Sequence, residues 1–176
     1  LPDAHSQAPT PISALLSGVL LNCAVYGIIR YLIIMSHAIG LEYPSKFLLI
    51  FGLISVLIAM FYVIAAKDYK RLLAFSTIEH MGIIAIGLGI GNPIGIFGAL
   101  YHIFNHSMSK SMLFLGTGNI LQKYQTRKID QVKYIASVMP VTAVFLILGM
   151  FALTGAPPFS IFMSEITILN SMIISQ

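Results

Sequence analysis

The segment YHIFNHSMSK, residues 101–110, sets His102, His106 and Lys110 at four-residue intervals inside a long apolar run. At about 100° per residue these side chains fall within an arc of about 80° and rise about 12 Å along one helix. They make one polar stripe. An ionised lysine at the bilayer centre costs roughly 2.5–3.5 kcal/mol even on the lenient insertion scale, so such residues usually face a bundle interior or a water-filled path. Snorkelling is the plain alternative for Lys110, but SMLFLGTGNIL still follows it. A buried ring satisfied by hydrogen bonds is the plain alternative for each histidine. Sharing a face with a lysine favours a proton relay instead. His102 and His106 also have the HxxxH spacing of a metal pair, yet zinc wants three or four ligands and the segment supplies no carboxylate or cysteine to complete a set. No metal and no cofactor is expected, and no catalytic residue.

Other polar groups lie in apolar surroundings. Glu165, in FMSEITIL, follows the break GAPP (155–158) by a few residues; a membrane carboxylate beside broken backbone points to function. Asn22, in LLNCAV, is either an interhelical hydrogen-bond donor or a holder of water in a path. Glu79 and His80, in STIEHMG, lie near one end of their span. Glu79 is either a helix-start carboxylate that suits the dipole or a group that admits protons. Burial drives amines and carboxylic acids towards neutrality, and histidine already titrates near physiological pH. Lysine, histidine and glutamate joined by water are therefore what proton transfer across a dry region requires.

The elements that must position these groups are helices. Of 176 residues 57% are hydrophobic and 9% charged, against about 25% charged in soluble domains, and runs near the ~20 residues needed to cross a bilayer recur. The expected fold is all-α, a polytopic transmembrane helix bundle in one domain over residues 1–176, with five to six apolar segments. Residues 1–10 read as a loop or helix end, and a first helix runs from Pro11 to about His37. A turn at 40–46 leads to a second span, 47–66, and 67–75 reads as a short amphipathic connector. Ser76 or Thr77, with Glu79 following, suits a capping box for a third helix. GNP (91–93) turns into a fourth helix, 94–121, and residues 122–134 form an aqueous loop. The fifth and sixth segments flank GAPP, which reads as the break of one discontinuous helix. Cys23 is expected buried as a small hydrophobe.

Charge orders the topology. Lys67, Lys70 and Arg71 lie between spans two and three, and Lys123, Arg127, Lys128 and Lys133 between spans four and five. An even number of crossings separates these loops, so they share one side, which the positive-inside rule makes cytoplasmic. The net charge of +4 is confined to them and forms no basic stripe with interleaved aromatics, which excludes nucleic acid as partner.

LPDAHSQAPTPISALLSG with YGIIRY, DYKRLLAFSTIEHMGI, NHSMSKSMLFLGTG and LTGAPPFSIFMSE resemble, in order, four motifs of the proton-pumping antiporter-like membrane subunits. Respiratory complex I, Mrp-type cation/proton antiporters and membrane-bound group 4 hydrogenases share that family. Glu79 before His80 and the LLNCA run resemble its hydrogenase-4 and formate hydrogenlyase branch, component F in particular. The resemblance implies the later part of a fourteen-helix subunit, from the end of its seventh span into its twelfth. It also implies a central polar axis through Lys110 and Glu165, with His106 one turn from Lys110. Where many complex I relatives carry Lys or His, this chain has Asn22. The implied role is a non-catalytic proton-translocating subunit of an oxidoreductase complex in the inner or cytoplasmic membrane. Its implied partners are other membrane subunits, the lipid bilayer and, indirectly, peripheral redox subunits. A sodium/proton antiporter subunit without a redox partner, a membrane metalloenzyme and a structural subunit are the rival readings.

Overall fold

Apolar runs broken by glycine, proline and asparagine fold into a series of helices in the computed structural model, which describes residues 2–174. They are α1 (Pro2–Gln7), α2 (Thr10–Ile39), α3 (Glu42–Ala65), α4 (Tyr69–Gly89), α5 (Pro93–Tyr124), α6 (Ile135–Val138), α7 (Pro140–Leu153) and α8 (Ser160–Ile174). No strand occurs among the described residues. α2, α3 and α4 are each long and apolar enough to cross a membrane, and α7 and α8 are shorter apolar helices. α5, at 32 residues, is the longest, and its polar stripe is turned inward.

The stop signals explain the boundaries. Pro11 sits in the first turn of α2, where its missing N–H costs nothing. Gly40, at φ +86°, ends that helix. Asn92 caps α5 by accepting from Gly95 N at 2.6 Å, and Gln125, at φ 54°, ends it in the left-handed region.

Several sequence expectations need correction. Of the two alternatives for residues 1–10, the loop gives way to the helix: α1 is packed into the bundle. The second span starts at Glu42, so the turn is shorter than 40–46. Residues 69–75 are not a connector; they are the first two turns of α4. Asp68 is the cap, its Oδ1 accepting from Lys70 N at 2.8 Å and Arg71 N at 3.1 Å. Ser76 and Thr77 lie mid-helix and donate back to Leu73 O. Glu79 is therefore no helix-start carboxylate. Cys23 is exposed rather than buried. The break after α7 is as expected and spans residues 154–159.

The cap is testable. Asp68→Ala should lower the stability of the full-length protein by about 1 kcal/mol, read as a lower apparent Tm, whereas Asp68→Asn, a cap of equal rank, should leave it unchanged.

α5 runs between α2, α4, α7 and α8. One apolar cluster gathers Ala14, Leu73, Leu113, Phe114, Leu153 and Ile161, and a second gathers Val25, Ile84, Leu88 and Ala99. Residues 102–110 occupy the stretch of α5 between the two. At one end of the bundle the two basic loops meet in an antiparallel backbone bridge between Asp68 and Lys128, where Tyr69 N donates to Arg127 O at 3.2 Å and Ile129 N to Lys67 O at 3.1 Å. That common end agrees with the even number of crossings deduced between them.

Candidate functional site

Lys110 is fully buried. Its Nζ donates to Leu73 O at 2.7 Å and to Ser76 Oγ at 2.6 Å, both on α4. No carboxylate pairs with it; the ion pairs among the described residues are Lys46–Glu42 and Arg71–Asp3. Glu79, half-buried one turn along α4 from Ser76, is the acid whose charge Lys110 feels. An amine held by neutral acceptors keeps its hydrogen bonds without the deep energy well of an ion pair, and so stays able to exchange a proton.

One and two turns back along α5 stand His106 and His102, both fully buried. His80 of α4 faces both, with ring centroids 5.1 Å from each. The His102 hydrogen bonds define a direction. Ser164 Oγ donates to Ile161 O at 2.7 Å, so at 2.9 Å it accepts from His102 Nδ1–H. His102 Nε2 then accepts from His80 Nδ1–H at 3.0 Å. The nitrogens of His106 are buried without a hydrogen-bond partner, and buried polar atoms of this kind are where ordered water is held.

Glu165 reaches the same place from α8. Its carboxylate oxygen, a His80 nitrogen and a His102 nitrogen lie within 4.8 Å of one another. The break makes room for it: Gly155 has φ +64°, and a Cβ there would strike Glu165 Oε2. Only glycine meets both demands.

Six of the seven residues singled out in the sequence thus gather around the middle of α5, with His80 in the centre of the group rather than at a span end. Asn22 stands apart. Its Nδ2 donates to Gly18 O at 2.7 Å and Ser107 Oγ at 2.5 Å, one position off the stripe, as the donor alternative expects, while its Oδ1 is buried without a partner, as the water-holding alternative expects. A π-helical turn at Leu16–Leu20 shapes α2 here, and the sequence carries no sign of it. Such insertions are frequent at functional sites.

Two further groups escape a sequence reading. His5, 1% exposed, stacks on Phe114 at 5.6 Å, and both of its nitrogens lack a partner. It lies within electrostatic reach of Lys110 and Lys70. Lys70, fully buried, donates from Nζ to Ala8 O at 2.6 Å, and Arg127 donates to Ser6 O at 2.6 Å. Two cations thus cap the carbonyl end of α1, where the helix dipole favours them, and hold His5 in place. Histidine in a polar, proline-punctuated run looks like a loop residue; the cue was its position just before an apolar helix start.

Residues 1–176 match the family model described as NADH:quinone oxidoreductase/Mrp antiporter, TM. A hydrogenase-4 component F homolog of Methylacidiphilum infernorum is 44% identical over 171 residues, covering 97% of this chain and 36% of that protein. Among solved structures, a chain of the membrane-bound sulfane sulfur reductase, an archaeal respiratory membrane complex, superposes with a TM-score of 0.91 at 28% identity, over 97% of this chain and 35% of its own. A chain of respiratory complex I from Thermus thermophilus gives 0.87 at 28% identity, over 100% and 38%. The chain therefore spans about a third of the length of these relatives.

Proposed function

This chain belongs to the NADH:quinone oxidoreductase/Mrp antiporter transmembrane family, and from that premise we propose that it carries protons across the membrane as part of a redox-driven complex. The observation that carries the reading is Lys110, wholly buried, bound to neutral oxygens and continued by histidines along one face. Lys110 takes and releases the proton. His106 and the His80–His102 pair extend its path towards Glu165, and Glu79 and His5 flank the lysine. Waters bridge the partnerless imidazoles. Asn22 fixes α2 against α5 and does not itself carry the proton.

The relatives include a hydrogenase component homolog and a complex I chain, which supports other membrane subunits and, indirectly, peripheral redox subunits as partners. The basic loops face the cytoplasm of an inner or cytoplasmic membrane by the positive-inside rule. A sodium-carrying route is disfavoured by the donors: hard cations take oxygen ligands, whereas nitrogens dominate this line.

The test uses inverted vesicles bearing the full-length complex, supplied with its electron donor. Proton uptake should appear, collapse with a protonophore, and be the same with and without Na⁺. Uptake that requires Na⁺, or redox turnover with no uptake, overturns the reading.

A further inference from the structure

We propose that His80, His102 and Glu165 form a binding site for Zn²⁺ or a divalent ion of similar preference. The ion occupies the relay and stops it, a consequence that rests on the relay reading above. HxxxH spacing along α5 pairs His102 with His106; the fold instead turns His102 towards His80 on α4 and brings the carboxylate from α8.

The geometry is close to that of a zinc site. With Zn–N near 2.0–2.1 Å, tetrahedral ligand atoms stand about 3.3 Å apart. His80 Nδ1 and His102 Nε2 are 3.0 Å apart in a hydrogen bond, so the ion needs a few tenths of an ångström of separation and a turn of both rings that aims the two lone pairs at one apex. A Glu165 oxygen, within 4.8 Å of one nitrogen on each ring, closes by rotation of a side chain that no ion pair restrains among the described residues. Water takes the fourth position.

The surroundings fit as well. A ligating histidine usually donates its other N–H to a fixed acceptor, which sets its tautomer. His102 already does so, Nδ1–H to Ser164 Oγ, leaving Nε2 bare. His80 must move its proton from Nδ1 to Nε2, which bares Nδ1 as a ligand. Two imidazoles and one carboxylate suit Zn²⁺ over Mg²⁺ or Ca²⁺. Glu165 is half-buried beside the 154–159 break, which gives the ion a way in.

Zn²⁺ alone is the probe, titrated into the purified full-length complex, with wild type compared against His102→Gln and Glu165→Gln. Wild type should bind one more zinc per chain than either variant. X-ray absorption of that difference should show two imidazoles and oxygen, and His106→Gln should keep the site. Should His102→Gln fail to assemble, Glu165→Gln, the milder change, carries the comparison. Equal binding in wild type and the variants overturns the site. Zinc bound there with redox-driven proton uptake unaffected keeps the site and sinks the relay reading instead.

Discussion

Lys110→Met should cut redox-driven proton uptake by the full-length complex on the order of a hundredfold or more, the scale on which a positioned proton-transfer group acts, while the complex still assembles. Assembly survives because Lys110 is not the sole partner of what it touches. Leu73 O also accepts from Thr77 Oγ1 at 2.9 Å and Ser76 Oγ at 3.1 Å, so no buried acceptor is orphaned by its loss. Methionine also keeps most of the stem volume between α4 and α5. Lys110→Arg separates two roles. Arginine keeps the charge but does not give up its proton in a protein. If Lys110 must release a proton, Lys110→Arg fails as badly as Lys110→Met; if it is only a fixed charge, Lys110→Arg retains uptake. Simultaneous recording of turnover and external pH in inverted vesicles decides it. Uptake at wild-type stoichiometry in Lys110→Met would remove Lys110 from the path.

The parts of this site that could be read in advance are those whose polarity contradicts their surroundings. His102, His106, Lys110 and Glu165 stand in helical segments otherwise free of charge, and the cost of burying them points to function before any coordinates exist. His5 and Lys70 gave no such contrast, because each sits among prolines or charges that normally face water. The start of α4 was misplaced for a related reason. Asp68 is the true cap, but the charges of KDYKR resemble a loop, and S-x-x-E at 76–79 imitates a capping box. What decides between them is tertiary: Lys70 leaves water for Ala8 O, and the backbones of Asp68 and Lys128 form an antiparallel bridge, partners far away in sequence. His80 could be named from the chain, but its place between His102 and His106 depends on how α4 crosses α5. One-dimensional periodicity does not contain that crossing.

Gly82→Leu should strongly reduce the amount of assembled complex and its apparent Tm, because α3 and α4 meet through their backbones. α3 buries only Ser45, Gly52 and Ala59, small residues seven apart on one stripe, as close packing between membrane helices requires. A Cβ at Gly82 would stand 2.8 Å from Gly52 O, and one at Gly89 would stand 2.8 Å from Leu49 N. Those obstacles are backbone, so no rotamer change relieves them; overpacking costs of about 1–3 kcal/mol are a lower bound for leucine here. Alanine gives a contrast of sign. In an open helical position Gly→Ala gains up to about 1 kcal/mol in propensity, and at Gly27 a new Cβ meets nothing within 4 Å. Gly27→Ala should therefore hold or raise the apparent Tm, and Gly82→Ala should lower it. The same displacement reaches the chemistry. Gly82 lies two residues beyond His80, whose 3.0 Å bond to His102 spans the α4–α5 crossing, so whatever Gly82→Ala complex assembles should also take up fewer protons per redox turnover. Wild-type stability and coupling in Gly82→Ala would mean that the α3–α4 contact neither limits assembly nor positions the relay.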